Sequence, residues 1–147
     1  MAFRGSYDYQ LDDRNRVALP PRYRDAFLGG AVLTPGVDGC VEVYTPDDYD
    51  RQAEAFAALP AQSAGGRTAR RAFAGMAYDV PRDNAGRLLI PQKLIAHANL
   101  KKDVVVVGAQ ECLEIWDKAA WDEQEAKLAA AREEMYRGAA ADNGQAG

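Results

Sequence analysis

DDRNRVALP, Asp12 to Pro20, and DNAGRLLIP, Asp83 to Pro91, are two settings of one pattern: an aspartate, an arginine four residues on, a short apolar run and a closing proline. They lie 71 residues apart. Asn15 and Gly86 stand immediately before the two arginines, and these are the residue types that best tolerate a positive φ angle. Each stretch therefore reads as a tight left-handed turn between two strands, holding its arginine at a fixed place on a hairpin.

The surrounding blocks repeat in the same order. Phe3 and Gly5 match Phe73 and Gly75 at an offset of 70. CVEVYTPDDYD from Cys40 matches CLEIWDKAAWD from Cys112 at an offset of 72, pairing Cys40 with Cys112, Glu42 with Glu114, Tyr44 with Trp116 and Tyr49 with Trp121. Three matched blocks in one order identify an internal duplication, so the two halves are expected to form the same unit, related by a pseudo-two-fold axis. Each unit reads as a strand (4–10; 75–80), the turn, a second strand (16–19; 87–90) and a short helix opened by proline. A strand–loop–strand follows (31–34 and 40–44; 103–107 and 112–116), then a closing helix capped by Thr45 or Asp117. The second closing helix carries Trp121, Leu128, Ala131 and Met135 as one apolar stripe. The chain thus divides into a first repeat at 1–60, a linker with a basic helix (Arg67 to Phe73) at 61–72, a second repeat at 73–137 and a disordered tail at 138–147.

With 48% hydrophobic and 27% charged residues, the composition is that of a soluble globular protein. No apolar run approaches the roughly 20 residues of a membrane span, and MAFRGSYD lacks the apolar stretch of a signal peptide, so a cytoplasmic protein is expected. The net charge of −4 runs against nucleic-acid binding, which rests on cations that displace phosphate counterions. Its distribution runs the other way. Residues 65–105 carry eight basic and three acidic side chains, while acids gather in the two closing helices.

Cys40 and Cys112 do not form a CxxC pair and read as small buried side chains, as the aromatic pairs Tyr44, Trp116, Tyr49 and Trp121 read as core. His97, the one histidine, has no nucleophile at a suggestive spacing, and no P-loop, GxGxxG or HExxH is present. The expectation is a protein that is not an enzyme and has no cofactor and no metal ligands.

A guanidinium fixed on a rigid turn can bond phosphate oxygens or take both acceptors of a guanine edge. Arg14, Arg16 and Arg87 are the candidate DNA-binding residues. Asp12, Asn15, Asp83 and Gly86 support the turns, the aspartates by orienting the arginine or by satisfying backbone donors. The competing reading is a non-catalytic scaffold that binds another protein, with the basic face merely solvated.

The segments FRGSYDYQLDDRNRVALPPRYRDAF, CVEVYTPDDYD, FAGMAYDVPRDNAGRLLIPQKLIAHANLKKDVVVVG and CLEIWDKAAWD resemble the MraZ family over nearly the whole chain except the C-terminal tail. The resemblance implies an α+β, mainly β protein: two duplicated swapped-hairpin AbrB-like units in one β-barrel-centred domain with flanking helices. It also implies a transcriptional regulator, expected to act as a repressor, that assembles into homo-oligomeric rings of about eight or more subunits. Such rings would bind direct repeats in double-stranded promoter DNA upstream of the cell-division and cell-wall gene cluster, in the nucleoid. The family's DxxxR signature, often with a basic third residue, carries over to Asp12, Arg14 and Arg16 and to Asp83 and Arg87. Asn15 stands where the family usually has Gly, and Ala85 where a lysine is common, so the second copy is expected to contribute less.

Overall fold

The computed structural model describes residues 1–146, with side chains through residue 140. The first compact unit, Met1–Asp117, contains all the strands, and the second is the helix that follows. In chain order the first unit is β1 (Ser6–Gln10), β2 (Arg16–Ala18), a 3₁₀-helix (Pro21–Phe27), β3 (Ala31–Pro35), β4 (Val41–Tyr44) and α1 (Pro46–Ala57). It continues with α2 (Ala64–Ala74), β5 (Tyr78–Val80), β6 (Arg87–Leu89), α3 (Gln92–Ala98), β7 (Asp103–Gly108) and β8 (Leu113–Asp117).

A six-stranded antiparallel sheet runs β1-β7-β8-β4-β3-β5, and β2 pairs with β6 in a two-stranded ribbon. Exchanging each first-half strand with its second-half counterpart reverses the sheet order and leaves it otherwise unchanged, which is the expected pseudo-two-fold symmetry. The hairpins are swapped: β1 pairs with β7 of the other half and β5 with β3, so neither half completes its own sheet. The sheet stays open at β1 and β5, and the ribbon covers the core that the sheet encloses. Val17 and Leu88, register partners in the ribbon, are buried together with Leu33, Val41, Val43, Leu113 and Ile115 from the sheet. Alternation explains this layering, since every second residue of β4 and β8 points inward.

Local signals act as the residues dictate. Pro20 and Pro91 open the short helices without side-chain caps. Thr45 accepts a hydrogen bond from Asp48 N at the start of α1, and Ser63 accepts one from Gly66 N at the start of α2. The linker helix thus begins earlier than its basic residues suggest. Asp117 ends β8 directly before the closing helix, the position expected of its cap, and its Oδ1 accepts the backbone N–H of Lys101. Tyr44 and Trp116 are buried, and Tyr49 stacks on Phe73 at 5.0 Å.

The second unit, α4, runs Lys118–Ala146. The tail expected from Gly138 falls for the most part outside the described residues, since no side chain of 141–147 is described. The stripe of α4 is not uniformly buried: Trp121 is, whereas Leu128 and Met135 are exposed. Among the described residues no helix is long and apolar enough to cross a membrane.

Leu113 is fully buried at the centre of the sheet, whereas Val37 is fully exposed. Leu113→Ala should destabilise the chain by about 2–5 kcal/mol in urea denaturation, and Val37→Ala should stay within about 0.5 kcal/mol.

Candidate nucleic-acid interface

Both turns have the expected left-handed residue, Asn15 at φ 59° and Gly86 at φ 76°. Asn15 N donates to Asp12 O and Gly86 N to Asp83 O, each at 3.0 Å. The two turns also lock each other. Ile90 N donates to the Asn15 carbonyl at 3.0 Å and Leu19 N to the Gly86 carbonyl at 2.8 Å. Neither turn can move without breaking a bond to the opposite half.

The aspartates perform both roles open to them. Asp12 Oδ1 accepts from Arg14 N and Arg16 N at 2.9 and 2.8 Å, while Oδ2 accepts from Arg16 Nε at 2.7 Å. Asp83 repeats the set with Ala85 N, Arg87 N and Arg87 Nε at 3.0, 2.8 and 2.9 Å. Longer ion pairs cross the pseudo-two-fold axis: Arg16 NH1 lies 3.9 Å from Asp83 and Arg87 NH1 3.5 Å from Asp12. The four side chains form one quartet with no net charge. The arginines are held by carboxylates but not enclosed: 27% of the Arg16 side chain and 35% of the Arg87 side chain remain exposed. Backbone hydrogen bonds from Arg16 and Arg87, followed by the guanidinium bonds, hold both carboxyls below the usual aspartate range.

Arg14 is exposed beside the quartet, its backbone N–H taken by the turn. At the second turn Ala85 offers no cation, but Arg24 comes across from the 3₁₀-helix. A Cβ on Gly86 would stand 2.6 Å from Arg24 Cδ and 2.8 Å from its Nε, so glycine supplies room as well as backbone freedom. Arg24 Nε donates to Leu19 O at 3.1 Å, and Arg82 NH1 donates to Arg24 O at 3.1 Å. Sequence reading passes over both residues. Arg24 matches Ile95 at the offset of 71, so the duplication does not point to it. Arg82 stands where the offset changes from 70 to 71, a signal that marks the place but not its chemistry.

The other basic cluster is occupied with structure. Arg70 NH2 bonds the carbonyls of Ala57 and Leu59 at 2.8 and 3.0 Å at the end of α1, and Arg67 NH1 bonds those of Ala61 and Gln62. His97 Nε2 lies 2.7 Å from Gly36 O. Away from the turns, Glu42, Cys112 and Glu114 bring one donor atom each within 4.8 Å of one another. Burial raises the Glu42 carboxyl and pushes the Cys112 thiol up to about 12, with the neighbouring carboxylates adding to the latter.

A chain whose halves trade their first strands around a shared core, with two interlocked turns at the junction, is a duplicated swapped-hairpin protein. The family model described as "MraZ protein, putative antitoxin-like" matches residues 2–72 and again 73–141, and the chain belongs to the MraZ family. It is 37% identical to the protein named transcriptional regulator MraZ of Heliobacterium modesticaldum over 133 residues, 90% of this chain and 93% of that one. The Thermomicrobium roseum protein of the same name is 38% identical over 87% of this chain and 90% of its own length. For that of Salinispora arenicola the figures are 38%, 82% and 84%.

Both aspartates titrate lower in the folded chain, so their contribution to stability is full above the unfolded value of about 3.9 and is lost as pH falls through the folded values. A chain carrying both Asp12→Asn and Asp83→Asn should be less stable at neutral pH. Its stability should also decline less steeply below about pH 4 than that of the unaltered chain, read by fluorescence-monitored unfolding at stepped pH.

Proposed function

We propose that the chain is a sequence-specific DNA-binding transcriptional regulator, a repressor that occupies direct repeats in double-stranded promoter DNA as a ring-shaped homo-oligomer. The name its relatives carry supports transcription regulation. The family resemblance supports a nucleoid location, rings of about eight or more subunits, and a target upstream of the cell-division and cell-wall genes, including the chain's own gene.

The observation that carries the reading is the quartet of Asp12, Arg16, Asp83 and Arg87 on two interlocked turns. Each carboxylate fixes its arginine through Nε and leaves part of the guanidinium open to solvent. Held in that way, a guanidinium meets the paired acceptors of a guanine edge with little further loss of freedom. Since the quartet is neutral, it draws weakly on phosphate. Attraction to the backbone falls to the cations outside it, Arg14 at the first turn and Arg24 at the second. Affinity and sequence discrimination thus reside in different arginines. One chain carries few such groups, and joining copies in a ring raises the effective concentration for each later binding event.

The test is a gel-shift titration of tandem and scrambled repeats at several salt concentrations. Arg16→Ala should bring the two affinities together by about 10-fold or more, with ring mass unchanged by light scattering. Arg14→Ala and Arg24→Gln should weaken both sequences alike and lower the salt slope by about 0.9 for each phosphate no longer neutralised. Equal affinity of the unaltered chain for tandem and scrambled repeats would refute the reading in favour of a scaffold.

A further inference from the structure

Glu42 and Glu114 face each other in register across the β4–β8 ladder, at the middle of the six-stranded sheet and on the surface opposite the core formed by Val41, Val43, Leu113 and Ile115. Both are partly buried, and like charges placed directly opposite on a sheet destabilise it. Among the described residues no ion pair reaches either carboxylate. Only neutral donors meet them: Thr34 Oγ1 and Tyr44 OH donate to Glu42 at 3.3 and 3.1 Å, and Trp116 Nε1 donates to Glu114 at 3.1 Å. A pair of carboxylates half withdrawn from water and without a cation lacks its counter-charge.

Cys112, nine-tenths buried, adds a sulfur to the group, and its Sγ and the two carboxylate oxygens lie within 4.8 Å of one another. We propose that Glu42, Cys112 and Glu114 form a binding site for a divalent transition-metal cation of the zinc class. The donor set selects that class. Magnesium and calcium take oxygen alone, copper(I) prefers sulfur alone, and zinc accepts thiolate together with carboxylate. Bonds of roughly 2.0–2.3 Å in a tetrahedron require donors about 3.3–3.8 Å apart, so the three groups would close by about 1 Å, a movement that two glutamate side chains supply by small rotations.

The fourth position falls to solvent. Thr34 and Tyr44 act on Glu42, and Trp116 on Glu114, as the outer partners that orient metal ligands do. On binding, the Cys112 S–H bond breaks, the proton leaves to solvent and the sulfur–metal bond forms. The site joins the two halves of the duplication, with Glu42 from the first and Cys112 and Glu114 from the second. Its effect is to clamp the sheet at its pseudo-two-fold axis. It does not depend on the reading of the turns as a DNA interface.

The experiment uses the full chain without an affinity tag, stripped by chelator and then titrated with cobalt(II), zinc or magnesium. Cobalt should produce a thiolate-to-metal charge-transfer band in the near ultraviolet at one ion per chain. Zinc, at a hundred times its dissociation constant, should raise the melting midpoint by roughly 5–10 °C, and magnesium should leave it unchanged. Cys112→Ala should abolish the band and Cys40→Ala should retain it. Should Cys112→Ala fold poorly, Glu42→Gln keeps the shape of the side chain and should weaken cobalt binding by at least about 10-fold. No band, a band that follows Cys40 instead of Cys112, or equal shifts with zinc and magnesium would each overturn the assignment.

Discussion

Each half of the chain gives its first strand to the sheet edge of the other. β1 pairs with β7 and β5 with β3, so the backbone groups of each half's first strand are satisfied by the other half. The same reciprocity recurs at the turns, where Asn15 and Gly86 each give their carbonyl to the opposite half. One hydrophobic core then serves both units. Folding of either half alone would leave strand edges open and the apolar faces of Val17 and Leu88 exposed. The rigidity of the turns follows from this cross-bracing, since a two-stranded hairpin by itself is marginal in water.

Much of this was legible in the sequence because the duplication preserves local rules. Asn15 and Gly86 announced a positive φ, Thr45 and Pro46 a helix start, and the matched blocks a two-fold relation, each from a handful of neighbouring residues. What escaped depends on contacts between distant segments. Arg24 lies sixty-two residues from Gly86, beside which the fold places it, and its counterpart in the duplication is an isoleucine. Cys40 and Cys112 read as small apolar side chains because nothing local shows that Glu42 and Glu114 would be set against each other beside them. Along α4, a periodic stripe indicated a face but not how much of it would be covered, since periodicity carries no information about the partner.

The quartet at the junction shows why an arginine should not be equated with a free positive charge. Asp12 and Asp83 cancel the charge of Arg16 and Arg87 and in return fix their planes, and each carboxylate also takes two backbone donors of its own turn. One side chain thus sets the backbone and the guanidinium together. A chain with a net charge of −4 can carry such a device because the orientation of these arginines, rather than their charge, is what the turns preserve.

The one-residue difference between the halves, at Pro81 and Arg82, has a further result. It adds Arg82 and its bond to Arg24 at one end of the platform, and Arg14 stands alone at the other, so the near-symmetric pair of turns has a front and a back. An object with a front and a back lies along a line in two distinguishable senses. Copies set side by side in a closed circle would all point the same way round, and a linear template engaged by them would need units written head to tail rather than as mirror pairs.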